Sequence, residues 1–175
     1  NGLIKHLNYP RTSPLFKKTN EQLEQLFMSK IKEQQLTSFL LISKLLKGTV
    51  HNNSDIAKEL LDNYSQSDKL HERDTVGKYL QTISNSNDSF ECATVYFIFN
   101  KCIKSKDPNH LDTVSRYIYH IFSAEQPMDK SNEKVDSLIR SKDYKENLIV
   151  FSALTLLGQS NNTSHINSCK REIRR

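Results

Sequence analysis

The sequence predicts an all-α protein of eight or nine helices, and three observations lead to this fold class. Apolar residues recur at intervals of three and four along most of the 175-residue chain, the spacing of a helix with one buried face. The four glycines and four prolines exclude a collagen-like or low-complexity chain, which leaves a globular domain. The segment 94–99 has strand-like composition but no partner strand is evident elsewhere, so we expect a helix there as well.

Two regions are predicted from the distribution of these signals. Residues 1–18 contain prolines at positions 10 and 14 and lack sustained periodicity, so we expect a basic lead-in arm. Residues 19–175 are expected to form a single all-helical domain. The first residues lack an initiator methionine and a signal-peptide core, so we expect the chain to be part of a longer protein.

The first helix of the domain is predicted to start at Thr19, because Thr19 and Gln22 match a capping box. Its apolar face comprises Leu23, Leu26, Phe27 and Ile31. The next segment, 36–47, is apolar nearly all round and is followed by Gly48, which predicts a central buried helix.

Asn53 or Ser54 is then expected to cap a third, amphipathic helix. This helix carries Ile56, Leu60, Leu61 and Tyr64.

The same order of an amphipathic, an apolar and an amphipathic segment then recurs twice. The second round contains Val76, Tyr79 and Leu80, the apolar segment 90–103, and Leu111, Val114, Ile118 and Phe122. The third contains Val135, Leu138 and Ile139, the segment 148–157 before Gly158, and Ile166, Cys169 and Ile173. Three stacked triplets, each with its apolar middle helix covered by its neighbours, would form a short solenoid. An irregular helical bundle would show the same spacing, and both interpretations stay open.

No short motif of a known enzyme class occurs in the chain. The glycines are isolated, which excludes glycine-rich phosphate loops, and neither G-x-S-x-G nor H-E-x-x-H is present. The tetrapeptide 71–74, His-Glu-Arg-Asp, precedes an amphipathic helix. We therefore interpret Glu72 or Asp74 as a first-turn carboxylate that interacts favourably with the helix dipole, and not as a catalytic residue. We therefore expect no catalytic residue, no cofactor and no metal site.

The remaining histidines and cysteines also favour structural roles. Ten residues separate His110 from His120, about 15 Å along a helix, which is too far to share a ligand. We expect His110 near a helix start and His120 partly packed. Cys92, Cys102 and Cys169 lack C-x-x-C spacing and are interpreted as buried thiols of a reducing compartment.

The net charge of +5 is unevenly distributed. Residues 1–18 carry +4 and residues 170–175 carry +3, which leaves −2 for the body between them. The candidate anion-binding residues are therefore those of the two basic ends: Lys5, Arg11, Lys17, Lys18, Lys170, Arg171, Arg174 and Arg175. No stretch approaches the roughly 20 apolar residues of a membrane-spanning helix.

These features favour a non-catalytic interaction domain that binds a partner protein through a helical groove or concave face. One alternative is a basic-ended module that docks on anionic membrane lipid or RNA. Another alternative is an enzyme that lacks a recognisable motif. We expect an intracellular location, in the cytoplasm or alternatively the nucleus.

Overall fold

The chain is all-helical in a computed structural model that describes residues 2–47, 51–84, 86–105, 107–123, 137–138 and 140–159. Within these ranges it forms eight helices and no strand, so the all-α prediction is confirmed. The helices are α1 (Gly2–His6), α2 (Pro14–Phe27), α3 (Lys32–Leu46), α4 (His51–Ser65), α5 (Leu70–Ser84), α6 (Ser89–Lys104), α7 (Pro108–Ser123) and α8 (Tyr144–Gly158).

Helix α2 begins five residues earlier than the sequence analysis predicted. Ser13 is the N-cap, and its Oγ accepts a hydrogen bond from the Leu15 N–H at 3.3 Å. Pro14 occupies the first turn, where the N–H that proline lacks would have had no partner within the helix. Thr19 lies inside the helix and donates to the Leu15 carbonyl at 2.8 Å. The predicted capping box at Thr19 is therefore wrong.

The segment 1–18 is also more structured than the expected lead-in arm. It contains α1 and the first residues of α2. Leu7 and Phe16 are buried in the hydrophobic core. Asn53 of α4 donates to the Asn8 side chain at 2.9 Å, which connects this segment to the bundle.

The predicted boundaries and burial of the next two helices need correction. Ile31 is exposed just before α3 and does not belong to the apolar face of α2. Helix α3 is not buried all round, because Leu36 and Leu40 are exposed. Helix α4 already begins at His51, so neither Asn53 nor Ser54 caps it. Gly48 lies outside the described residues.

Aromatic side chains join the first four long helices. Phe27 of α2 contacts the rings of Phe39 in α3, Tyr64 in α4 and Tyr79 in α5, with centroids 5.7 to 6.3 Å apart. The Tyr79 hydroxyl lies 3.2 Å from Ser43 Oγ, so its polar end is satisfied within the core. This contact set fixes α5 against the N-terminal half.

Helix α7 occupies the centre of the C-terminal half. It packs against α4, α5, α6 and α8, and its largest interfaces are with α5 and α8. The apolar segment 90–103 predicted that α6 would be the covered middle member of its triplet. This expectation is wrong, since Phe90 and Phe97 of α6 are exposed.

The third predicted triplet is described only in part. Leu138 is buried, and α8 contains the predicted apolar segment 148–157 with Gly158 as its last helical residue. Leu148 and Phe151 are exposed, so α8 is not covered on all sides. Val135, Ile139, Ile166, Cys169 and Ile173 lie outside the described residues. Internal repetition therefore stays a prediction.

Candidate functional site

The outer face of α6 carries the candidate site. Phe90, Ala93, Tyr96 and Phe97 are exposed, and the two phenylalanines are 59% and 48% exposed. At 100° per residue, the four positions fall within an arc of about 120° on the helix. The opposite face of α6 contributes to the core. We call these four residues the α6 stripe.

Capping and an ion pair position the start of α6. Asp88 is the N-cap, and its Oδ1 accepts hydrogen bonds from the N–H groups of Phe90 at 3.0 Å and Glu91 at 3.2 Å. Lys47, which follows α3, places its Nζ 3.4 Å from the buried carboxylate of Glu91. The first turn of the stripe is therefore held against the N-terminal half.

A groove follows the α6 stripe on the side of α4. It consists of two cavities of about 250 and 340 Å³, which share Lys58 and Phe97 as lining residues. The smaller cavity has apolar walls contributed by Leu46, Phe90 and Ala93. The larger cavity is lined by charged side chains, namely Arg11, Asp55, Glu59 and Asp62. We call the two cavities together the α4–α6 groove.

Most carboxylates of the α4–α6 groove already have a basic partner. Arg11 Nη1 donates to both Glu59 oxygens, at 2.8 and 3.0 Å, and Lys101 Nζ lies 2.6 Å from Asp62 Oδ1. Asp55 is exposed and has no ion pair within the described ranges. Its charge is available to a ligand that approaches the groove.

A second cleft, of about 470 Å³, lies on the other side of α6, facing α8. Tyr96, Ile103 and Lys104 line it from α6, and Leu138 and Glu146 line it from the C-terminal segments. The stripe is therefore bordered by concave surface on both sides.

Paired charges join α5 to α7 at a separate location. The Nε atoms of Arg73 and Arg116 both donate to Asp112 Oδ2, at 2.6 and 2.8 Å. The two arginine side chains are only 9% and 11% exposed. This arrangement places two guanidinium groups on one carboxylate.

Asp74 forms the second part of this charged interface. His120 Nε2 lies 2.9 Å from Asp74 Oδ1, and Lys78 Nζ lies 3.0 Å from Asp74 Oδ2. A carboxylate only accepts, so His120 carries the proton on Nε2. The sequence indicates only an interaction of Asp74 with the helix dipole. The contact with His120 could not be predicted, because His120 is 46 residues away and no local pattern connects the two.

The other expectations for the positions of residues in this region are confirmed. Glu72 lies in the first turn of α5, as predicted. His110 lies near the start of α7, where its Nδ1 is 2.8 Å from Ser105 Oγ. His120 is partly buried, also as predicted.

Acid should weaken the native state through Asp74. Burial alone would raise the pKa of this carboxyl, but the hydrogen bond from His120 and the charges of His120 and Lys78 hold the pKa well below its ordinary value of 3.8. A carboxyl with a lower pKa in the folded state stabilises the fold above its unfolded-state pKa, and the contribution is lost as the pH falls toward the folded-state pKa. Between about pH 4 and pH 2, the free energy of unfolding should therefore fall more steeply in wild type than in Asp74→Asn.

Urea unfolding at each pH measures this difference. Asp55→Asn, on the exposed face of α4, is the control and should follow the wild-type slope. Equal slopes for wild type and Asp74→Asn would contradict the role of Asp74.

The structure describes the basic residues of the N-terminal end. Lys5, Lys17 and Lys18 are exposed on α1 and α2, whereas Arg11 is exposed but ion-paired with Glu59. The C-terminal candidates, Lys170, Arg171, Arg174 and Arg175, lie outside the described residues. Anion binding by these basic residues therefore stays a prediction.

The described cysteines are free thiols. Cys102 is buried, and burial raises its pKa to about 12. Cys92 is half-buried, and its Sγ donates to the Ser86 carbonyl. Cys169 lies outside the described residues. Among the side chains that the structure describes, no three of His, Cys, Asp or Glu come together as a metal site would require.

No protein-family model, curated protein or solved structure matches the chain. The helices within the described ranges include none with the length and apolar character needed to cross a membrane.

Proposed function

We propose that the chain is a non-catalytic protein-interaction domain whose α4–α6 groove binds an amphipathic helical segment of a partner protein. The α6 stripe carries this proposal. Its two phenylalanines are exposed beside a groove, and exposed apolar groups that lie together on a surface are typical of interaction sites. Helix-in-groove recognition uses this kind of surface.

The groove suggests the chemistry of the partner segment. Phe90 and Phe97 are about 10 Å apart along the helix axis, which corresponds to two turns of a partner helix. Apolar side chains at i, i+3 and i+7 of the partner would contact the stripe and fill the smaller cavity. Asp55 favours a lysine or arginine at the charged end of that helix, because it has no ion pair within the described residues.

The free thiols of Cys92 and Cys102 support an intracellular setting for this interaction, in the cytoplasm or the nucleus.

Site-specific crosslinking tests the location of binding. A photo-crosslinking amino acid is placed at position 93 of the protein in its own cells, and the attached peptide is identified by mass spectrometry. We expect one discrete amphipathic segment. The same amino acid at position 151, which is exposed on α8, is the control and should not capture that segment.

A peptide from the captured segment then measures the contribution of the stripe. Phe97→Ala should weaken binding about tenfold or more, because truncation of a central aromatic anchor typically costs at least 1–2 kcal/mol. Phe151→Ala removes an equally large exposed ring away from the groove and should leave the affinity unchanged. Equal losses for the two variants would contradict the proposed site.

Charge reversal at the basic N-terminal end separates this proposal from the basic-ended alternative. If Lys17→Glu with Lys18→Glu abolishes the cellular interaction while Phe97→Ala does not, the groove is not the binding surface. Binding of the protein to anionic vesicles or RNA should then weaken steeply as the salt concentration rises.

A further inference from the structure

A third cleft, of about 500 Å³, opens between α5, α7 and α8, away from the α4–α6 groove. Its lining includes four basic or titratable nitrogen groups, those of His71, Lys78, Arg116 and His120. Asp74 is the only carboxylate among the described residues that line it. The cleft is therefore richer in positive than in negative groups.

The neighbouring carboxylates do not remove this excess. Asp112 does not line the cleft, and its charge is shared between Arg116 and Arg73. Glu72 accepts hydrogen bonds from Ser67 and Lys69 and is not a lining residue either. With neutral imidazoles, Lys78 and Arg116 leave one positive charge beyond the single negative charge of Asp74.

The two cations also retain hydrogen-bond donors. An ammonium has three N–H groups, and Lys78 uses one of them on Asp74. A guanidinium has five, and Arg116 uses Nε and the longer Nη2 contact on Asp112, at 2.8 and 3.5 Å. Even after the contact between Arg116 Nη1 and Asp74 at 3.5 Å, donors remain for a ligand with several acceptor oxygens.

Apolar side chains complete the cleft. Leu70 of α5, Tyr119 of α7 and Leu156 of α8 line it beside the charged groups. A volume of about 500 Å³ lies within the usual range for small-molecule sites. The cleft therefore combines an apolar wall with converging cationic donors.

We propose that this cleft binds a small organic phosphate monoester, with the phosphate at Lys78 and Arg116 and the apolar part against Leu70 and Leu156. Phosphate fits these donors because it carries close to two negative charges and three acceptor oxygens. Its charge also allows it to compete with Asp74 for Lys78. This site is independent of the partner-binding groove.

Phenyl phosphate is the probe, and amide chemical shifts of the full chain are followed by NMR at pH 7 and low salt. We expect saturable shifts at the facing parts of α5, α7 and α8. Lys78→Gln should weaken binding about tenfold, the typical value of one charged hydrogen bond. Lys44→Gln removes the same charge from the exposed face of α3 and should leave the affinity unchanged.

Further arms of the experiment separate the sources of binding. Asp74→Asn removes the competing negative charge and should tighten binding, whereas a cation site would lose affinity. Phenol should bind far more weakly than phenyl phosphate. Equal losses for Lys78→Gln and Lys44→Gln, weaker binding to Asp74→Asn, equal binding of phenol, or an absence of saturable shifts would each overturn the proposal.

Discussion

Asp112→Asn is expected to lower the free energy of unfolding by about 3 kcal/mol. Asp112 Oδ2 accepts hydrogen bonds from both Arg73 and Arg116, whose side chains are nearly buried. Asparagine keeps an acceptor oxygen but removes the charge, so two guanidinium groups would face a neutral amide with little water around them. Loss of one partner of a buried ion pair typically costs about 3–5 kcal/mol, and the 30% exposure of Asp112 favours the lower end.

Glu59→Gln is the matched control for this prediction. Its carboxylate also binds an arginine through two short contacts, but the side chains of Arg11 and Glu59 are 53% and 60% exposed. Solvent screens such a pair, so the loss should stay below about 1 kcal/mol. Urea unfolding of the full chain at pH 7, followed by circular dichroism, measures both variants. Similar losses of unfolding free energy in Asp112→Asn and Glu59→Gln would show that burial of the arginines does not determine how much the ion pairs contribute.

The same charged interface explains why periodicity predicted α6 as a covered helix, although α7 is the central one. A helix that is apolar nearly all round predicts burial, and a helix with charged residues predicts a solvated face. Asp112, Arg116 and His120 instead point toward α5, where Arg73 and Asp74 pair with them. Periodicity within one helix contains no information about a partner residue some 40 positions away. The sequence therefore predicted the helices but not which of them lies at the centre of the bundle.

The start of α2 was predicted wrongly for a different reason. Pro10 and Pro14 were both interpreted as interruptions, although Ser13 followed by Pro14 is also a typical helix start. The candidate groove was not predictable from the chain at all. It depends on Phe90 and Phe97 facing outward beside α4, and side-chain exposure of this kind follows only from the packed arrangement.

Gly77→Ala is expected to lower the free energy of unfolding by about 2 kcal/mol, although alanine favours helices more than glycine does. Gly77 lies where the backbones of α5 and α7 approach each other closely. A Cβ added there would lie 2.9 Å from the backbone nitrogen of Tyr117 and 3.0 Å from the carbonyl carbon of Arg116. Because both atoms belong to a helix backbone, no side chain can turn away, and α5 must move from α7.

Gly158→Ala provides the matched control, since Gly158 is exposed at the end of α8. This variant should change the free energy of unfolding by no more than about 0.5 kcal/mol. Chemical denaturation of both variants measures the difference. Equal free energies of unfolding for the two variants would mean that α5 and α7 accommodate the added methyl group without loss of stability.

The effects of Gly77→Ala and Asp112→Asn on the free energy of unfolding should also depend on each other. A methyl group at position 77 separates the two helices and lengthens the contact of Arg73 in α5 with Asp112 in α7, because this ion pair spans the interface. The pair of Arg116 with Asp112 lies within α7 and keeps its length. The Gly77→Ala background then leaves less interaction for Asp112→Asn to remove. We therefore expect the double variant to lose less stability than the sum of the single variants, by about 0.5 kcal/mol or more. An additive result would mean that the close approach at Gly77 does not set the geometry of the charged interface.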